Sequence, residues 1–105
     1  MPTLVVLFNL KSGVSTADYE KWARSTDLPI VNGLNSVQQF QVLRSASVLG
    51  SDQPAPYQYI ETITVPDLPA LFVDIASPVM QKVAAQFQEF AEQPMFIVCN
   101  NIQEA

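Results

Sequence analysis

Residues 3–10 (TLVVLFNL) form a nearly unbroken β-branched and apolar run, the pattern of a central strand buried on both faces. Lys11-Ser12-Gly13 then turns the chain. Ser15 offers a helix N-cap with Asp18 three residues on, and Val14 and Tyr19 hold the two hydrophobic-staple positions. The helix that starts there has an inner stripe of Tyr19, Trp22, Ala23 and Thr26, with Glu20 and Arg24 at i, i+4 spacing outside. Pro29 and Gly33 limit it. Leu28 precedes proline and is biased away from helical geometry, so residues 28–34 read as a short irregular turn.

Residues 37–45 (VQQFQVLRS) and 57–65 (YQYIETITV) have strand character and are joined by a loop containing Gly and Pro. Pairing symmetric about the loop centre sets Arg44 against Glu61, Val42 against Ile63 and Phe40 against Val65. One face is then apolar, with a charged pair and Tyr59 towards one end. Asp67 caps a short helix through Ile75, with Pro69 in its first turn. Ser77-Pro78 opens the clearest helix, whose inner face is Val79, Met80, Val83, Ala84, Phe87, Phe90 and Ala91. Pro94 ends it, and residues 95–102 form the last strand.

The order β-α-β-β-α-β predicts an α+β chain with the ferredoxin-like split-βαβ arrangement, one domain over residues 1–105. An antiparallel sheet with both helices on one face leaves its other face uncovered. At this size an apolar open face is most simply buried against a second copy, which predicts a homodimer enclosing a small apolar cavity.

Composition narrows the function classes. The net charge of −5 and the scatter of the five Lys and Arg residues exclude a nucleic-acid partner. Only 14% of residues are charged, an unusually uncharged surface that fits burial against a partner. No apolar run is long enough to span a bilayer, and residues 1–3 lead into a strand without a basic n-region, so neither a membrane partner nor a signal peptide is expected. A lone Cys99 within Phe96-Ile97-Val98-Cys99 reads as a buried, inert thiol in a reducing cytoplasm. With no His, Ser-His-Asp and Cys-His catalysis are excluded within one chain, and the commonest zinc and iron ligand is missing. No metal and no cofactor are expected.

The remaining candidates are polar or aromatic. Trp22 can either pack in the core or wall a site for a flat ligand, and Tyr19 on the same stripe joins it as a binding candidate. Asp27 follows the first helix and caps no obvious one, so its carboxylate is either a solvated loop group or, at a pocket rim, a general base whose pKa burial raises. Arg44 and Glu61 form either a structural pair or one that polarises a carbonyl and moves a proton. Tyr59 shares the face of Glu61 and adds a hydroxyl, and Asn9, Asn32 and Asn100 are amide donors available to an oxyanion.

The runs Leu7-Phe8-Asn9-Leu10-Lys11-Ser12-Gly13-Val14, Tyr19-Glu20-Lys21-Trp22-Ala23-Arg24 and Asp27-Leu28-Pro29 resemble the REDY-like or HapK family of prodigiosin-type pigment gene clusters. So do Leu49-Gly50-Ser51-Asp52, Tyr57-Gln58-Tyr59-Ile60-Glu61 and residues 80–96. The resemblance implies a dimeric α/β barrel related to EthD-like and antibiotic-biosynthesis monooxygenase proteins. It also implies a cofactor-free role in the secondary metabolism of pyrrole- and indole-derived compounds. Many dimeric barrels carry a His after the first helix, and here Asp27 stands in that place. The expected protein is a cofactor-independent enzyme that guides cyclisation, condensation or proton transfer on a small aromatic ligand. Asp27 is its acid or base, Glu61 and Arg44 orient, and Trp22, Tyr59, Asn9 and Tyr19 bind. A cofactor-free monooxygenase, a chaperone for a pigment precursor and a purely structural partner-binding module are the alternatives.

Overall fold

The computed structural model describes residues 2–103; Met1, Glu104 and Ala105, the ends of the domain expected over 1–105, lie outside the described residues. Strand β1 (Pro2–Leu10) leads through a turn in which Gly13 takes φ +86°, open to glycine without strain, into helix α1 (Thr16–Trp22). The Ser15 hydroxyl accepts from the Asp18 backbone N–H at 3.0 Å, the expected cap.

The helix does not stop at Leu28-Pro29. It continues through one π-helical turn (Ala23–Asp27) into α2 (Leu28–Asn32), and Leu28 itself is helical at φ −60°, ψ −50°. A proline ring in an α-helix collides with the carbonyl four residues back, and the wider turn just before Pro29 gives that ring room. The turn also changes the periodicity. The buried positions are Tyr19, Ala23, Asp27 and Val31, a spacing of four in place of 3.6, so Asp27 takes the inner place expected for Thr26.

Strands β2 (Gln39–Arg44) and β3 (Tyr59–Thr64) follow, then helices α3 (Leu68–Ile75) and α4 (Pro78–Phe90) and strand β4 (Ala91–Asn100). The antiparallel sheet runs β2-β3-β1-β4, the ferredoxin-like order. Asp67 precedes α3 without capping it through its side chain, whereas Ser77 does cap α4. Of the expected inner face of α4, Met80, Val83 and Phe87 are buried while Val79 and Ala84 are exposed. Pro94 does not separate α4 from the last strand. That strand begins at Ala91, and Pro94 lies inside it beside Gln93 (φ 44°), where the register against β1 shifts. A strand at the sheet edge tolerates the missing N–H of proline, especially at a bulge.

The hairpin register differs from the symmetric expectation by two residues: Arg44 faces Tyr59, Val42 faces Glu61 and Phe40 faces Ile63. A shift of two preserves the face, so the apolar side stays intact while the proposed Arg44–Glu61 pair is lost.

Alternation divides the sheet into two faces. Leu4, Val6 and Phe8, with Phe40, Val42, Tyr59, Glu61 and Ile63, point towards the helices and pack in two clusters. The first gathers Phe8, Tyr19, Tyr59 and Phe87, with ring centroids 5.0–5.5 Å from Phe8; the second holds Val31, Phe40, Val65, Leu71, Met80 and Val83. On the other face Leu43, Ile60, Leu7 and Met95 align in one row across all four strands, with Val5 and Ile97 beside them. Among the described residues no helix covers that row. β1 is central as expected but is fully buried only at alternate residues, Val6 and Phe8, and Cys99 is half-buried on the open face, where a fully buried thiol was expected. Among the described residues no single helix is long and apolar enough to cross a membrane.

Candidate active site

Each of two elements breaks its apolar stripe with an acid at the seam between the clusters. On the first helix Ala23 belongs to one cluster and Val31 to the other, with Asp27 between them. On β3 Tyr59 belongs to one and Ile63 packs against the other, with Glu61 between them. Both carboxyls are only 4% exposed, and both line a single cavity of about 300 Å³ between helices and sheet, walled by Val31, Phe40, Ile63, Met80, Val83 and Phe87. Apart from Gln81 and Gln88, its other lining residues are apolar, and no Lys or Arg lines it.

This cavity lies within one chain, on the helix side of the sheet. The open sheet face, where a second copy is expected to pack, is on the opposite side of the sheet. Residues facing the helices have enough bulk at the cluster centres to pack, but the acids at the seam leave space between the clusters.

Burial raises the Asp27 pKa from 3.8 to about 7, since a charged carboxylate loses its hydration there. Burial and the neighbouring Asp27 charge push Glu61 up to about 8, partly offset by the Tyr19 hydroxyl, which donates to Glu61 Oε2 at 3.3 Å. The Tyr19 phenol is raised by its own burial and by the two carboxylates, so it stays a donor. Around neutrality the pair keeps a proton, giving one acid and one base in an apolar enclosure.

The other candidates fall elsewhere. Arg44 is exposed and binds Glu20 through Nη1, at 3.1 Å to Oε1 and 3.0 Å to Oε2, outside the cavity. Arg24 joins the same carboxylate at 3.1 Å, the i, i+4 pair visible in the sequence. Tyr59 is buried by stacking on Phe8, and its hydroxyl donates to Glu20 Oε2 at 2.7 Å. That bond and Arg44 hold the Glu20 pKa below its usual value, and burial and the same bond raise Tyr59. Arg44 and Tyr59 therefore build a cluster around Glu20 beside a separate, smaller pocket, and Glu20 has no assigned role in the sequence reading beyond its pairing with Arg24.

Trp22 packs between Tyr19, Phe87 and Phe90, and its indole N–H donates to Gln86 at 2.9 Å; it is not a cavity wall. Trp22→Phe is expected to lower stability by about 1 kcal/mol through the lost bond and to leave the affinity of a cavity ligand within about two-fold, as read by calorimetry. A ten-fold loss of affinity would place the indole in the site after all.

The amide candidates are committed to the fold. Asn9 accepts from the Gln58 N–H at 2.9 Å and donates to the Pro56 carbonyl at 3.2 Å, pinning the end of the long hairpin loop. Asn32 pairs with both backbone groups of Phe40, at 2.9 and 3.0 Å, and so fixes α2, and with it Asp27, against β2. Asn100 is exposed at the end of β4.

An antiparallel β2-β3-β1-β4 sheet with helices on one face defines a ferredoxin-like α+β protein. The model of the family described as REDY-like protein HapK matches residues 2–102, and the chain belongs to that family. HapK from Hahella chejuensis superposes with a TM-score of 0.78 at 23% identity, covering 100% of this chain and 96% of that one. SnoaB, a cofactor-independent oxygenase from Streptomyces nogalater, gives 0.72 at 16% identity over 97% and 93%. A dimeric ferredoxin-like protein from Jannaschia sp. gives 0.74 at 13% identity over 95% and 98%. No curated protein gives a sequence match.

Proposed function

We propose that the protein is a cofactor-independent enzyme of secondary metabolism that moves a proton on a flat aromatic intermediate of pyrrole or indole type, and so guides its cyclisation or condensation. The observation that carries this reading is the meeting of Asp27 and Glu61 in one apolar cavity. An apolar cavity of about 150 Å³ takes one benzene ring, so about 300 Å³ suits two fused or linked rings. Asp27, which ionises first, takes a proton from the ring system, while protonated Glu61, held by Tyr19, returns one at a second atom. Membership of the HapK family supports the link to pigment precursors, and the uncovered apolar row of Leu43, Ile60, Leu7 and Met95 supports a homodimer, as does the dimeric Jannaschia relative. A single domain, working in the cytoplasm, completes this reading.

Protein purified from its producing cells provides the test, with native mass spectrometry to identify a retained aromatic molecule and chromatography to follow its conversion. Asp27→Asn is expected to slow that conversion at least about a hundred-fold. The rate should peak near pH 7–8, between the two ionisations. Equal conversion by Asp27→Asn would remove the assigned role. Saturable binding with no conversion by the unaltered chain would favour the pigment-precursor chaperone.

A cofactor-free monooxygenase is the second reading, favoured by a base positioned in an apolar enclosure that can deprotonate an electron-rich phenol for reaction with dioxygen. SnoaB shares the fold. Undiminished conversion without oxygen would rule this reading out.

A further inference from the structure

We infer that the cavity selects flat ligands carrying a basic nitrogen, bound as the cation with an N–H directed at Asp27, and rejects carboxylate- or phosphate-bearing ligands of the same shape. This rests on the same cavity as the proposed function and deepens it to a substrate class, but it concerns binding and does not require turnover. Asp27 is nine-tenths buried, faces the cavity and makes no hydrogen bond to any described residue. With no protein partner, its oxygens are left open to the cavity, where a ligand donor can reach them.

The rest of the lining points the same way. Glu61 is the second carboxyl, and its Oε2 already accepts from Tyr19. Gln81 gives one amide N–H to the Ile75 carbonyl at 2.9 Å, and its second N–H and the Gln88 amide are neutral donors that bring no positive charge. None of the five Lys and Arg residues, Lys11, Lys21, Arg24, Arg44 and Lys82, lines the cavity, and Arg24 and Arg44 are tied to Glu20 outside it. An anionic ligand would thus bring a charge beside two carboxyls with no counter-ion, whereas an amidinium or protonated heteroaromatic supplies what Asp27 lacks.

Four two-ring probes of near-equal size separate charge from shape: 2-aminobenzimidazole, indole, indene and indole-2-carboxylate. Calorimetric titration at pH 7.5 of the unaltered chain, of Asp27→Asn and of Glu61→Gln reads the preference, with circular dichroism reporting folding. The expected result is 2-aminobenzimidazole binding at least about ten-fold tighter than indene, indole between them and indole-2-carboxylate weakest. That spread should shrink to within about three-fold in Asp27→Asn or, if this variant does not fold, in Asp27→Ala, and should persist in Glu61→Gln, whose amide is neutral like the protonated acid. Indole-2-carboxylate binding as tightly as 2-aminobenzimidazole, a spread unchanged in a folded Asp27 variant, or no saturable binding of any probe would each overturn the inference. The charge preference without conversion of the cellular ligand would leave the inference standing and remove the enzymatic reading. Conversion dependent on Asp27 without the preference would do the reverse.

Discussion

Asp27→Asn is expected to melt roughly 10 °C above the unaltered chain at pH 8 and within about two degrees of it at pH 4.5. The folded-state pKa of Asp27 is raised, from 3.8 to about 7. Its stability contribution is therefore fully present below about pH 4 and lost as the pH rises through 7, because ionisation favours the unfolded chain. Three pH units correspond to about 4 kcal/mol as an upper bound, and an asparagine that itself needs partners would recover on the order of 2 kcal/mol. Glu61, raised for the same reason and by the Asp27 charge, adds to the alkaline loss. Scanning calorimetry from pH 4.5 to 8.5 checks this. Melting curves that run parallel for both proteins across that range would show that Asp27 is not buried as a carboxyl. A residue whose removal stabilises the fold while abolishing activity is the pattern of a group kept for function.

Ile60→Lys should change the association state as sharply as Asp27→Asn changes the pH profile. Ile60 sits in the middle of the open-face row, between Leu43 on β2 and Leu7 on β1, so a lysine there reaches solvent in a single chain but is trapped in a two-fold pair. An unpaired buried charge costs about 3 kcal/mol or more, which weakens self-association at least about a hundred-fold. Sedimentation velocity at micromolar concentration should show the unaltered chain as a dimer and the variant as a folded monomer. A variant that sediments as the unaltered chain does would mean that this face is not the interface.

The element order was readable because each strand and helix carries its own period, and Ser15 and Ser77 marked their helix starts through cap chemistry that needs no tertiary information. What escaped depends on longer range. Leu28-Pro29 is a breaker by local sterics alone, and only the π turn, stabilised by packing of Tyr19, Ala23 and Val31, carries the helix past it. The hairpin register was not fixed by a tight turn, since the loop between β2 and β3 is long enough for several pairings.

Asp27 and Glu61 were both visible as candidates, yet not as a pair. Opposite charge suggested Arg44 for Glu61, whereas the chain uses Arg44 outside the cavity with Glu20 and sets two like groups together inside. The signal that could have joined them is an acid at an inward position of an otherwise apolar stripe, occurring once on the first helix and once on β3. Trp22 and Asn9 drew attention by residue type, but their hydrogen bonds to Gln86 and to the hairpin loop already occupy them.

The widened turn at Ala23–Asp27 also sets the phase of the first helix. An α-helix rotates about 100° per residue, so eleven residues return the chain to nearly the same face while twelve overshoot by about a third of a turn. Tyr19 and Val31 are separated by twelve and still face the same sheet. The surplus residue is absorbed within the helix, with both flanking segments left in register. The same turn makes room for the Pro29 ring and sets the carboxylate of Asp27 at the inner position, so one local widening serves both.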